Sequence, residues 1–267
     1  MSHRPHFLVT AGNTREAIDQ VRDWGNIFTG QTGLDIALAL LDLGSVTLLT
    51  SNGDHALRYE GTLGARGAGG RLDVRTFRSH GDLLELLAHL IPSQPFDAVC
   101  MTAAVADYRP AGVFHVAEEE VLPDGRRCWI VEDVQAAKVS STYDRIAVMG
   151  VQTSKLIDMF RRAWNFRGVL VKFKLQAGIT EGELLEIAEK SRQASDADLI
   201  VANTLEMVKG PRPAAWIVGE YDRHRIERAV LAPSLVAAIQ TRMKAKGMVG
   251  VEPRTPQAPY LLRANVA

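Results

Sequence analysis

Cysteine is scarce in this chain: only Cys100 and Cys128 occur among 267 residues. They stand far apart, in no metal-binding or redox spacing. That excludes a disulfide scaffold and predicts inert thiols in a reduced, cytoplasmic protein. No charge of either sign is in excess, since 31 Lys and Arg balance 31 Asp and Glu. A basic platform for nucleic acid and an acidic tail are both excluded. No apolar run is long enough to cross a membrane, and MSHRPHFLV turns into a strand without a signal-peptide core. Internal repeats are absent. So is a G-x-G-x-x-G between a strand and a helix.

What is present is an alternation of strands and helices. HFLVTA (6–11) has the continuous apolar character of a buried strand, and GQTGLDIALALLDL (30–43) that of a helix with Leu34, Ala37, Leu38 and Leu41 on one face. Between them, residues 12–29 form an eighteen-residue polar connection with five ionised side chains. Usual βα connections are about 2–6 residues. A long connection at the carboxyl end of a first strand is where an open α/β sheet binds its ligand. Strands follow at 45–50, 72–77 and 96–103, with a helix at 80–91. This order implies a largely parallel sheet with helices on its faces.

Residues 111–135, with a PDG turn, interrupt the alternation as an inserted arm. A strand is expected at 143–150, a helix at 153–164 and a strand at 168–175. A helix follows at 180–194, with Thr180 and Glu183 spaced as a capping box. The strand 197–203, an edge strand at 214–219 and a helix at 233–246 complete the domain, expected to span 1–247. The Gly- and Arg-rich stretch at 64–70 and the proline-containing tail at 248–267 are expected to be loose.

Each candidate site has two readings. Gly30 and Gly33 suit a helix start that approaches an anion, with Thr29 and Thr32 as hydroxyl donors; a plain helix packed close to the sheet fits equally well. Arg22 suits a carboxylate or phosphate and Asn26 a carbonyl oxygen, although either can simply stabilise the loop. Asp107 can bind a hydroxyl, a base or hydrated Mg2+, or form a turn. Lys138 can reach phosphates or be a solvated surface lysine. A dinucleotide-dependent oxidoreductase is disfavoured: Gly12 stands alone, and Thr50-Ser51-Asn52 carries no carboxylate for ribose hydroxyls.

Several segments, taken together and in order, resemble the phosphopantothenate–cysteine ligase family. They are LVTAGNTREAIDQVR (8–22), WGNIFTGQTG (24–33), MTAAVADYRP (101–110), AKVSS (137–141), and FKLQAGITEGELLEIAEKS (173–191) followed by ADLIVAN (197–203). The resemblance implies a Rossmann-like, three-layer α/β fold with an open, mostly parallel sheet and the arm inserted. The activity it implies joins 4′-phosphopantothenate to L-cysteine through an acyl-nucleotide, using CTP or ATP with Mg2+. It implies a homodimer with an arm closing the partner's site. With the ligase-like strand at residue 6, the monofunctional form is expected, without flavin.

Carried over by position, the resemblance makes Asn26, Lys138 and Arg22 catalytic. It places Gly12, Thr29, Gly30, Gly33, Ala103, Ala104, Asp107, Lys138, Ser154, Lys155, Leu156, Ile157, Phe173 and Lys190 at the nucleotide. Departures from the family pattern fall at Asn13, Ile27, Phe28, Ser154, Lys172 and Ala194. They put base preference in question and keep a non-catalytic nucleotide-binding relative as a rival.

Overall fold

The computed structural model describes residues 4–55, 71–134 and 137–248. The stretch at 64–70 and nearly all of the tail lie outside them. An eight-stranded sheet organises the molecule. Its strands are β1 (His6–Ala11), β4 (Ser45–Thr50), β5 (Leu72–Thr76), β6 (Ala98–Met101), β10 (Val169–Gln176), β11 (Leu199–Thr204), β12 (Ala214–Val218) and β13 (Arg223–Glu227), in the spatial order β13-β12-β11-β10-β6-β1-β4-β5. The strands from β11 to β5 pair in parallel, while β12 pairs antiparallel with both β11 and β13. The strand 214–219, expected at the edge, is covered by β13, whose RHRIE sequence carries a single apolar residue, Ile226. The order of strands reverses between β1 and β6, which makes the crevice at their carboxyl ends the expected ligand site.

Alternating strand residues feed two cores. Phe7, Val9, Ala98 and Cys100 pack with α1 (Gln31–Leu40) and α6 (Leu231–Ala245) on one face. Leu8, Val99 and Met101 pack with α2 (His80–Ser93) and α3 (Leu156–Arg162) on the other. A smaller cluster joins α4 (Glu181–Ala194), through Leu184 and Ala188, to β11, β12 and the short α5 (Leu205–Lys209). The expected three-layer α/β architecture is present. Thr180 and Glu183 form the expected capping box, and Ser79 with Asp82 form a second one on α2. Complete burial raises the Cys100 thiol to about 12, which keeps it inert.

The arm is larger than 111–135. β7 (Tyr108–Val121) pairs antiparallel with both β8 (Arg127–Asp133) and β9 (Ile146–Gln152). The strand expected at 143–150 thus belongs to the arm and not to the main sheet. Its apolar residues suggest a core strand, yet Ile146 and Met149 are exposed. Glu119 ties the three-stranded sheet together through Arg127 at 3.0 Å and Arg145 at 2.7 Å.

Candidate active site

The polar connection after β1 is not an open loop. β2 (Arg15–Ala17) and β3 (Asp23–Gly25) form a small antiparallel ladder within it. Segment 10–14 is zipped to the segment after β6. The Ala103 N–H donates to Thr10 Oγ1 (3.1 Å), the Ala104 N–H to the Gly12 carbonyl (2.9 Å), the Thr14 N–H to the Ala104 carbonyl (3.2 Å), and the Ala106 N–H to Thr14 Oγ1 (2.8 Å). The two chain segments at the switch point thus form one rigid rim.

A cavity of about 590 Å3 opens on this rim, a size suited to a small-molecule ligand. Asn13, Arg15, Asp23, Asn26, Ser51 and Asn52 give it a polar lining, with Ile27 and Phe28 as an apolar flank. Asn26 Nδ2 donates to the Ala104 carbonyl at 3.3 Å. Asn13 is buried; its N–H donates to Ser51 Oγ at 2.9 Å, and its side-chain amide donates to the Asn26 carbonyl. Asn13, a departure from the family pattern, therefore latches the backbone that presents Asn26. Asn52 Nδ2 reaches the Thr29 carbonyl at 3.3 Å.

The glycines at the helix start are needed for packing. Gly30 has φ 85°, and a Cβ there would lie 2.2 Å from the Gly12 nitrogen. A Cβ on Gly33 would lie 2.4 Å from Thr102 Oγ1 and 2.7 Å from Ala11 Cβ. The close-packed helix fits both positions. No side chain caps α1, so its N-terminal N–H groups can still face a ligand.

Arg22 is engaged by the protein itself. Its Nε donates to Asp19 Oδ2 at 3.0 Å, and its Nη2 donates to the Val139 carbonyl at 2.7 Å. Asp19 accepts from the Val21 and Arg22 N–H groups, both at 2.9 Å, and from the Val139 N–H at 3.1 Å. Those backbone donors and the Arg22 guanidinium hold the Asp19 carboxyl far below the usual carboxylate range. The Gln20 N–H also donates to the Ala137 carbonyl at 3.0 Å. Arg22 thus stabilises the loop: with Asp19 it holds Val139, while Gln20 holds Ala137, so the backbone on either side of the exposed Lys138 is clamped.

Other expected site residues are more dispersed. Ala103 and Ala104 lie on the rim. The exposed Asp107 faces Lys155 at 3.4 Å, and the Ser154 carbonyl is 2.8 Å from His80 Nε2. Leu156, expected at the nucleotide, is 2% exposed in the core of α3, so its side chain is withdrawn. Ile157 packs partly against the same core, and Phe173 against the α1 face of the sheet. Lys190 is exposed on α4; neither it nor Phe173 nor Lys138 lines the cavity. Lys172, on β10, donates to the Ser191 carbonyl at 2.9 Å, and burial pushes its ammonium down to about 8. Arg15, Ser51 and Asn52 line the cavity but carry no expected role; Ser51 and Asn52 were detectable as the polar end of a strand beside β1.

Residues 3–116 match the family model described as DNA/pantothenate metabolism flavoprotein C-terminal domain. A coenzyme A biosynthesis bifunctional protein CoaBC from Thermococcus kodakarensis is 28% identical over 214 residues, covering 79% of this chain and 44% of that protein. The chain spans less than half the length of the curated relatives it matches. The crystal structure of the DNA/pantothenate metabolism flavoprotein from Streptococcus pneumoniae superposes with a TM-score of 0.68 at 25% identity, over 91% of this chain and all of that one. A Cab2 mutant in complex with phosphopantothenate-cysteine shares the fold, with a TM-score of 0.63 at 14% identity over 92% of this chain and 89% of that one. Among the described residues, no helix is long and apolar enough to cross a membrane. In its amino-terminal segment the chain is similar to the DNA/pantothenate metabolism flavoprotein C-terminal domain, and in its fold to the solved structures of that group.

Proposed function

We propose that the chain joins 4′-phosphopantothenate to L-cysteine through an acyl-nucleotide intermediate in coenzyme A biosynthesis. The observation that carries this reading is the presentation of Asn26 over a polar cavity at the sheet's switch point. The CoaBC relatives and the Cab2 complex support the choice of substrates.

The reaction has two steps. A carboxylate oxygen of phosphopantothenate attacks the α-phosphorus of CTP or ATP, and pyrophosphate leaves. The cysteine amine then attacks the acyl carbon, loses a proton, and expels the nucleoside monophosphate. Both steps gather negative charge. The Asn26 amide has two N–H bonds, one of them directed at Ala104; the second serves the acyl oxygen, where an oxyanion develops. Lys138, on backbone clamped by Asp19 and Arg22, offers a point charge to the triphosphate.

Among the described residues, no three His, Cys, Asp or Glu side chains gather into a metal cage. Mg2+ would enter with the triphosphate and supply neutralisation of phosphate charge, with Asp107 as the carboxylate on this edge that would hold it.

Pyrophosphate release from CTP, ATP and UTP tests the proposal and sets the nucleotide preference. Release that requires phosphopantothenate supports it. Nucleotide binding without release makes the chain a non-catalytic relative, and saturable binding of a nicotinamide dinucleotide makes it an oxidoreductase.

A further inference from the structure

An acid that must approach a triphosphate needs a cation at its carboxylate. Arg22 occupies that place in the family resemblance, but its guanidinium is committed to Asp19 and to the Val139 carbonyl. Asp23, the one carboxylate of the cavity lining, is also committed, to Arg78 Nη2 at 2.9 Å through both oxygens. Arg15 differs. Its side chain lines the cavity and makes no hydrogen bond or ion pair among the described residues.

Its backbone is nevertheless fixed. The Arg15 N–H donates to the Arg78 carbonyl at 2.7 Å, and Arg15 stands opposite Gly25 in the β2–β3 ladder. Gly25 immediately precedes Asn26, so the guanidinium and the Asn26 amide arise from neighbouring positions at the mouth of one cavity. With Asp23 neutralised by Arg78, Arg15 is the unbalanced charge there. A guanidinium presents paired N–H donors that match the two oxygens of a carboxylate.

We propose that Arg15 is the residue that receives the reacting carboxylate of the acid substrate, beside the donor of Asn26. This rests on the ligase reading above. Arg15 holds the carboxylate ground state and screens it from the incoming phosphates; Arg22 acts only by holding the Lys138 segment.

A comparison of ligands tests the assignment. Binding is measured by calorimetry for phosphopantothenate and for the phosphorylated alcohol in which a hydroxymethyl group replaces the carboxylate. Wild-type protein is expected to prefer the acid by about 10- to 100-fold, the range of a charge-assisted hydrogen bond. Arg15→Gln should bind both ligands alike, at the wild-type affinity for the alcohol. Arg15→Lys should keep part of the preference. Circular dichroism and an unchanged affinity for the alcohol establish that the variants are folded. Retention of the full preference in Arg15→Gln overturns the assignment. Wild-type protein that binds neither ligand removes the ligase reading itself, which is a different result.

Discussion

At the scale of single residues, the site is a set of side chains whose polar groups are already assigned, plus a few that are not. Asn26 is held at both ends, by Ala104 through its amide and by Asn13 through its carbonyl. In the proposed mechanism, Asn26→Asp places a carboxylate beside the developing oxyanion. It is expected to leave nucleotide binding intact and to reduce turnover by about 10²–10³; unchanged steady-state turnover of the purified variant would remove Asn26 from the mechanism. Asn13→Gly should lower kcat while leaving nucleotide affinity unchanged, because it loosens the presentation of Asn26 without removing it. A rise in KM alone would show that Asn13 serves binding instead.

Lys172 makes stability depend on pH. Its folded-state value of about 8 lies below the 10.5 of a free lysine. Below pH 8 the lysine is charged in both states, and the cost of burying that charge is fully present. Between pH 8 and 10.5 the folded protein sheds the proton while the unfolded chain keeps it, so stability contributed at this site rises with pH. Lys172→Met should lose that rise. Thermal melts at pH 7.5 and 10 check it, and parallel responses in both proteins would contradict it.

At the scale of elements, α1 depends on two glycines that bring it against the rim. Gly33→Ala inserts a methyl between Thr102 and Ala11, an overpacking expected to cost about 1–3 kcal/mol in chemical denaturation. A variant as stable as wild type would show that the helix can shift outward freely.

Much of the element pattern was legible in the residues. Apolar runs identified the parallel strands, and Thr180 with Glu183 identified the start of α4. β13 is hard to read from its residues because a short edge strand with a single apolar residue, Ile226, among Arg, His and Glu gives only a weak core-facing signal. The arm was underestimated because its third strand carries apolar residues that, in this chain, face outward. The motifs lead to the segments that meet at the switch point, where Asn26 reaches the Ala104 carbonyl. For Arg22 the residues leave both a ligand and a loop-stabilising reading open; its local partner Asp19 is within sight of the sequence, but the Val139 carbonyl, more than a hundred residues away, is not.

At the scale of the molecule, the switch point, the clamped Lys138 segment and the arm lie along one chain of contacts. Asp19 and Arg22 link the loop after β1 to the segment between β8 and β9 of the arm, through Val139 beside Lys138. The arm exposes Trp129, Ile130, Val131, Ile146 and Met149. Apolar surface of this kind favours burial against another chain, and we propose that a second copy covers it. Specific activity should then fall on dilution, with sedimentation showing dimer dissociating over the same range; full activity in a strict monomer would contradict the pairing.

Formation of phosphopantothenoylcysteine from phosphopantothenate, cysteine and CTP or ATP, followed by mass spectrometry, is the most direct test of the central claim. The account predicts product with one equivalent of nucleoside monophosphate and of pyrophosphate in the wild type, and a severe loss in Asn26→Asp. Absence of product from the wild type with either nucleotide, or equal product from both proteins, would contradict it.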